Sequence, residues 1–133
     1  MAMIFPSRTL SVSIDCHPDK VYRFLSDVQN LPKWAAAFCK SIRKSNAHWI
    51  VDTPQGPMTV RFVPKNTLGV LDHYVIPAPG VEVYVPMRVV PNGSGTEVLF
   101  TLFRLPDMSD EKYAEDAALV EDDLRRLKNL LER

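Results

Sequence analysis

The apolar periodicity of this chain changes in an order that leaves few folds open. One strand comes first, then a pair of helices started by prolines, then a run of strands, and finally one long amphipathic helix. A sheet made from such a run has an apolar face to cover, and a single long helix is left to cover it. Arg8 to Ile14 alternates Leu10, Val12 and Ile14 against Thr9, Ser11 and Ser13, the pattern of a half-buried strand. Pro18 stands where a helix would start, and Val21, Tyr22, Phe24, Leu25 and Val28 supply its apolar face. A second short helix opens at Asn30-Leu31-Pro32-Lys33-Trp34, anchored by Trp34.

From Phe38 to Leu105 the pattern is strands and turns. The predicted strands are Phe38–Lys44, Ala47–Thr53, Met58–Pro64, Leu68–Ile76, Val81–Val90 and Thr96–Arg104. The connections are short and rich in Asn, Pro and Gly, so successive strands should pair antiparallel as a meander. Ser109 is a good N-cap, followed by Asp110 and Glu111 where the helix dipole favours negative charge. Lys112 at the third position removes the reciprocal capping box. Tyr113, Ala117, Val120, Leu124, Leu127 and Leu131 then recur at steps of three and four, one stripe along one helix face.

Turn lengths predict which residues face that helix. A four-residue loop at Asn92 to Gly95 sets Val89 opposite Val98, Met87 opposite Phe100 and Val85 opposite Leu102, with Val83 and Arg104 continuing the face. The same construction across Pro54 to Pro57 puts Trp49 and Val51 beside Phe62 and Val60. Arg88, Glu97 and Thr101 fall on the solvated side, as does Arg61. Counting back from Pro77 to Gly80 turns Asp72 and Tyr74 inward and Tyr84 outward, whereas a slip of one residue turns His73 inward instead.

Composition bounds the rest. The 133 residues are 46% apolar, enough for one domain with its own core. Lys and Arg number 16, as do Asp and Glu, so no overall field favours a nucleic acid, and none is expected as a partner. No apolar run is long enough to span a membrane, and Met1 to Arg8 lack the pattern of a signal peptide. Cys16 and Cys39 make no disulfide framework and fit a reducing, cytoplasmic setting. His17, His48, His73 and the two cysteines lack zinc-site spacing, and phosphate-loop, dinucleotide and hydrolase-elbow motifs are absent. No metal and no cofactor is expected.

Two sites stand out for chemistry. Asp72-His73 places a titratable pair in an apolar strand, where an acid with a raised pKa, or the imidazole itself, could act as a general base. The structural alternative is a side chain bonded to a loop or facing solvent. Arg104 could hold a ligand carboxylate or phosphate, or pair with an acid on the last helix. Cys16-His17 at a helix start reads as a packed cysteine and a histidine cap rather than a nucleophile pair. Trp34 and Trp49 read as core residues, with stacking on a ligand the alternative for Trp49.

With these residues in place, the chain resembles the START/SRPBCC superfamily, which includes birch-pollen-allergen-like proteins and polyketide cyclases. The resemblance spans nearly the whole chain. It is carried by the Pro18 to Asp27 run (Pro-Asp-Lys-Val-Tyr-Arg-Phe-Leu-Ser-Asp), Asn30 to Trp34, Gly69-Val70-Leu71-Asp72-His73 and Pro86-Met87-Arg88-Val89. It implies an α+β helix-grip fold, in which a curved antiparallel sheet of about seven strands wraps a long C-terminal helix. Two short helices lie between the first two strands. It also implies a hydrophobic cavity between sheet and helix, which here would be lined by Trp49, Val60, Phe62, Tyr74, Val83, Val85, Met87, Phe100, Leu102, Arg104, Ala117, Val120 and Leu124. The expected function is non-catalytic binding of a small, mostly hydrophobic molecule by residues 1–133, as a monomer or homodimer. The alternatives are a polyketide cyclase or dehydratase using Asp72 or His73, and a protein-interaction or chaperone-regulator module. The fold carries no common catalytic motif, so it cannot choose among them.

Overall fold

The computed structural model describes residues 2–133. The elements run β1 Ser7–Ile14, α1 Pro18–Ser26, a 3₁₀ turn Val28–Asn30, α2 Leu31–Trp34, β2 Ser41–Ser45, β3 His48–Thr53, β4 Gly56–Phe62, β5 His73–Ala78, β6 Val81–Val85, β7 Met87–Asn92, β8 Gly95–Phe103 and α3 Asp110–Leu131. This is the α+β order expected: two short helices between the first two strands and one long helix at the end. The helix starts are capped as the sequence suggests, with the His17 ring accepting from the Asp19 N–H and the Ser109 hydroxyl from the Lys112 N–H.

The expected single sheet of about seven strands is instead eight strands in two antiparallel ladders, β1-β8-β7 and β2-β3-β4-β5-β6. The long strand expected at Val81–Val90 breaks at Pro86, which has no N–H to keep a ladder going. Val85 therefore pairs with His73 in one ladder, while Met87 pairs with Phe100 in the other. The strand expected from Leu68 begins only at His73. The segment before it runs along β7 and joins the ladders: the Leu71 N–H donates to Met87 O and the Val89 N–H to Gly69 O, both at 2.9 Å. Gly69 has φ +73°, and a Cβ there would run into the Val89 carbonyl oxygen, so this crossing needs a glycine.

Helix α3 lies against β1 and α2. Ala117, Leu124, Leu127 and Leu131 of its stripe are buried, with Val120 half-buried beside them. Polar ties fix its azimuth. The Tyr113 hydroxyl donates to Leu102 O at 2.9 Å, and Lys128 Nζ donates to Ser13 O at 2.8 Å. Asp123 is buried one position beside the stripe, where its carboxylate accepts from Arg126 at 2.7 Å and from the Ala37 N–H at 3.3 Å. Arg126 also reaches Trp34 O, so the turn after α2 is laced to α3. Trp34 itself is buried core, as expected.

Candidate functional site

The face turned toward α3 is read from the strand registers. In one ladder Leu10 pairs with Phe100 and Val12 with Val98, while Met87 and Val89 lie across from Phe100 and Val98 on the other side. The last two pairings are those predicted. Asn92 and Gly95 close a two-residue turn inside the expected loop without changing the register. Val85, expected opposite Leu102, pairs with His73 because of the break at Pro86.

In the second ladder Trp49 pairs with Val60 and Val51 with Met58. The turn at Pro54-Gln55 is two residues shorter than expected. That slides the register by two and keeps Trp49, Val51, Val60 and Phe62 on the predicted face. Lys44 sits over the Trp49 ring at 5.6 Å.

At β5 the shift is odd. The turn is again short, with Ala78 paired to Val81, but a bulge lies between Val75 and Ala78, at Ile76 and Pro77. The net slip of one residue inverts the strand. His73 and Val75 therefore face inward with Val85 and Val83. Tyr74, expected inward, pairs with Tyr84 on the outer face, where Arg61 lies over its ring at 4.8 Å.

Asp72 is consequently not an inward acid. Its carboxylate takes Arg88 Nε at 3.0 Å and Nη2 at 2.9 Å, the Met87 N–H at 2.9 Å and the Tyr84 hydroxyl at 2.8 Å. Burial opposes its ionisation, but these donors outweigh it and hold the carboxyl at about 2. A raised pKa was expected; the structure shows a lowered one, in a carboxylate that has spent its lone pairs. Arg88, expected only to solubilise the sheet, is the main partner of Asp72 and ties β7 to the start of β5. Asp72 is a structural junction between β7 and the start of β5.

His73 has a different setting. Its ring stacks on Phe62 with centroids 4.4 Å apart and meets Phe100 edge-on at 6.1 Å. Nδ1 lies 3.0 Å from Leu71 O. A carbonyl only accepts, so Nδ1 carries the proton. Burial pushes the imidazole down to about 4, against the raising effects of the Leu71 bond and Asp72, so the ring is neutral near pH 7. Nε2 is then a bare acceptor on the far side of the ring from the backbone. Among the described residues the ring makes its hydrogen bond through Nδ1 alone. Among the described residues no sealed side-chain nitrogen or oxygen lacks a partner, so Nε2 borders accessible space although the residue is only 7% exposed.

The rest of the inner face is apolar. Val60, Val85, Met87, Ala117 and Leu124 are buried, while Trp49, Phe62, Val83, Phe100, Leu102 and Val120 are half-buried. Arg104, expected on this face, lies just beyond β8. It is held by Asp110 at 2.6 Å and by Met108 O at 3.0 Å, the helix-acid alternative. Two open depressions lie elsewhere, one near the C-terminal end of α3 between Ser13 and Glu132, the other lined by Ile50, Thr59, Ile76 and Pro77; neither includes His73. Among the described residues no three His, Cys, Asp or Glu side chains converge as a metal site. Among the described residues no helix is long and apolar enough to cross a membrane.

No family model and no curated protein matches the chain. Solved structures do. XoxI of Bacillus cereus superposes with a TM-score of 0.76 at 18% identity, covering 94% of each chain. The Aha1 dimer of Colwellia psychrerythraea gives 0.75 at 16% identity over 96% of each. A START superfamily protein of Mycobacterium smegmatis gives 0.69 at 14% identity, covering 95% of this chain and 97% of that one. The chain has the START/SRPBCC helix-grip fold. At these identities the likeness concerns the fold alone, so the chemistry has to be read from this chain's own inner face.

Sequence reasoning named His73 but preferred Asp72 for the inner face, because a bulge of one residue leaves no mark in the apolar pattern. Pro77 was the available signal, since a proline inside a run marks an edge or a bulge. Asp123 is a buried polar residue that the apolar periodicity does not single out. Its place beside the Val120, Leu124 and Leu127 stripe is the feature that could have flagged it.

Proposed function

We propose that residues 1–133 form one binding domain that takes up a small, mostly hydrophobic molecule between the sheet and α3, without catalysis. The observation that carries this reading is the inner face itself. Phe62 and Phe100, which pack on His73, and Leu102 and Val120 of the same apolar cluster remain only half-buried, and among the described residues the outer nitrogen of His73 has no partner. Apolar surface left partly open inside a fold is what an apolar guest covers, with a few polar groups to orient it.

Catalysis of the cyclase or dehydratase kind would need polar groups converging on a substrate. Here His73 stands alone. Asp72 points away, the Tyr22 hydroxyl accepts from the Asn66 N–H, and the Tyr113 hydroxyl is committed to Leu102 O. An imidazole with a pKa of about 4 is also a weak base. A cytoplasmic location belongs to this proposal, resting on two free cysteines.

Native mass spectrometry of protein purified without denaturation tests the reading. A co-purifying small molecule released on unfolding supports it. A bare chain mass, together with unchanged amide NMR spectra on adding a panel of flat and branched apolar compounds, overturns it.

A further inference from the structure

The neutral His73 ring fixes the chemical class of molecule that the proposed pocket accepts, and this inference rests on the binding reading above. We infer that His73 Nε2 is the specificity-determining acceptor of the inner face, and that the ligand is a neutral, largely apolar molecule presenting one hydroxyl or N–H donor. Three observations converge. Nδ1–H is tied to Leu71 O, which fixes the tautomer and leaves Nε2 only a lone pair to offer. The ring is clamped by Phe62 on its face and Phe100 at its edge, so the lone pair has a set direction and an aromatic surround. The residue is more than nine-tenths buried, yet among the described residues Nε2 has no hydrogen-bond partner and is not sealed off, so its lone pair stays open to a donor from outside the protein.

The arginines of the β1-β8-β7 ladder and its end offer no free partner to the obvious alternative, an anionic lipid or acid. Arg8 is paired with Glu121, Arg88 with Asp72 on the outer side, and Arg104 with Asp110. A carboxylate brought to His73 would meet a second acceptor there, and the two lone pairs would repel. A donor at that point completes the bond that the fold leaves open.

The test uses three probes of one shape: 2-naphthol, which carries a donor; 2-methoxynaphthalene, which does not; and 2-naphthoate, which is anionic. Titrations at pH 7 on the wild type and on His73→Phe give affinities. The expected result is 2-naphthol binding about tenfold tighter than 2-methoxynaphthalene, and 2-naphthoate weakest. In His73→Phe the tenfold preference should vanish while 2-methoxynaphthalene still binds. A ¹⁵N NMR spectrum of the wild type provides a readout that does not need the variant to fold: the Nε2 resonance should move upfield with 2-naphthol and stay in place with 2-methoxynaphthalene. Equal affinities for the two neutral probes, a preference that survives in His73→Phe, tightest binding of 2-naphthoate, or a stationary Nε2 resonance with 2-naphthol bound would each overturn the acceptor role while leaving the binding reading intact. Failure of all three probes to bind would overturn the inferred ligand class, whereas the binding reading stands or falls on the native mass spectrum and the wider panel.

Discussion

Lowering the pH should destabilise this protein through His73 before its ordinary carboxylates titrate. Unfolded, the imidazole takes up a proton near pH 6.5; folded, burial between Phe62 and Phe100 delays this to about 4. Between those values the unfolded chain binds more protons, so falling pH pulls the equilibrium toward unfolding. The stability at stake is fully present above about 6.5 and gone below about 4. At about 1.4 kcal/mol for each tenfold change, the gap corresponds to about 3 kcal/mol. Asp123 works the other way. Burial raises its pKa, so the folded state protonates first and offsets part of the loss as the pH falls. Comparing the wild type with His73→Phe cancels that contribution.

Urea unfolding at pH 7 and pH 4.5 is the assay, and most of the effect should be visible at the lower pH. The wild-type midpoint should drop by about 1–3 M for a slope of roughly 1–3 kcal/mol/M. The variant should drop far less. An equal drop in both proteins would show that His73 is not held neutral, and the tautomer argument for Nε2 would fall with it.

Replacing Asp72 with Ala should cost about 2–3 kcal/mol, since the Met87 N–H and the Tyr84 hydroxyl lose their acceptor while half-exposed Arg88 can turn to water; a urea midpoint shift worth under about 0.5 kcal/mol would show the junction to be incidental. The same carboxylate, held at about 2, should add a second acid step as the pH falls from about 4 to 2, absent in Asp72→Asn. Leu124→Ala should cost about 2–5 kcal/mol if the neighbours cannot close in, and an untouched thermal midpoint would place Leu124 beside an open void. Gly69→Ala combines a positive φ with a clash against the Val89 carbonyl, so it should cost about 2–4 kcal/mol; wild-type stability would mean that the strand crossing is loose.

Features set by long, continuous patterns were legible in the sequence. The α3 stripe, the caps at His17 and Ser109, and the Val89–Val98 and Met87–Phe100 pairings follow from spacing alone, because each repeats over several residues. The Trp49 face survived an error in turn length because the slip was even. At β5 a single extra residue inverted the strand, exchanging the roles of Asp72 and His73 and turning Tyr74 outward. Burial alone does not reveal such a slip in the sequence, since either neighbour could be the buried one. The junction of Asp72 with Arg88, Tyr84 and Met87 was equally hidden, as its members come from segments 12 to 16 residues apart, brought together only by the break at Pro86.

The central claim is that the inner face around His73 holds a guest, and intermolecular nuclear Overhauser effects to bound 2-naphthol test it most directly. The account predicts cross-peaks from the naphthol protons to the Phe62 and Phe100 rings and to the Val120 methyls. Cross-peaks confined to Ile50, Ile76 and Pro77, beside the outer depression, would contradict it.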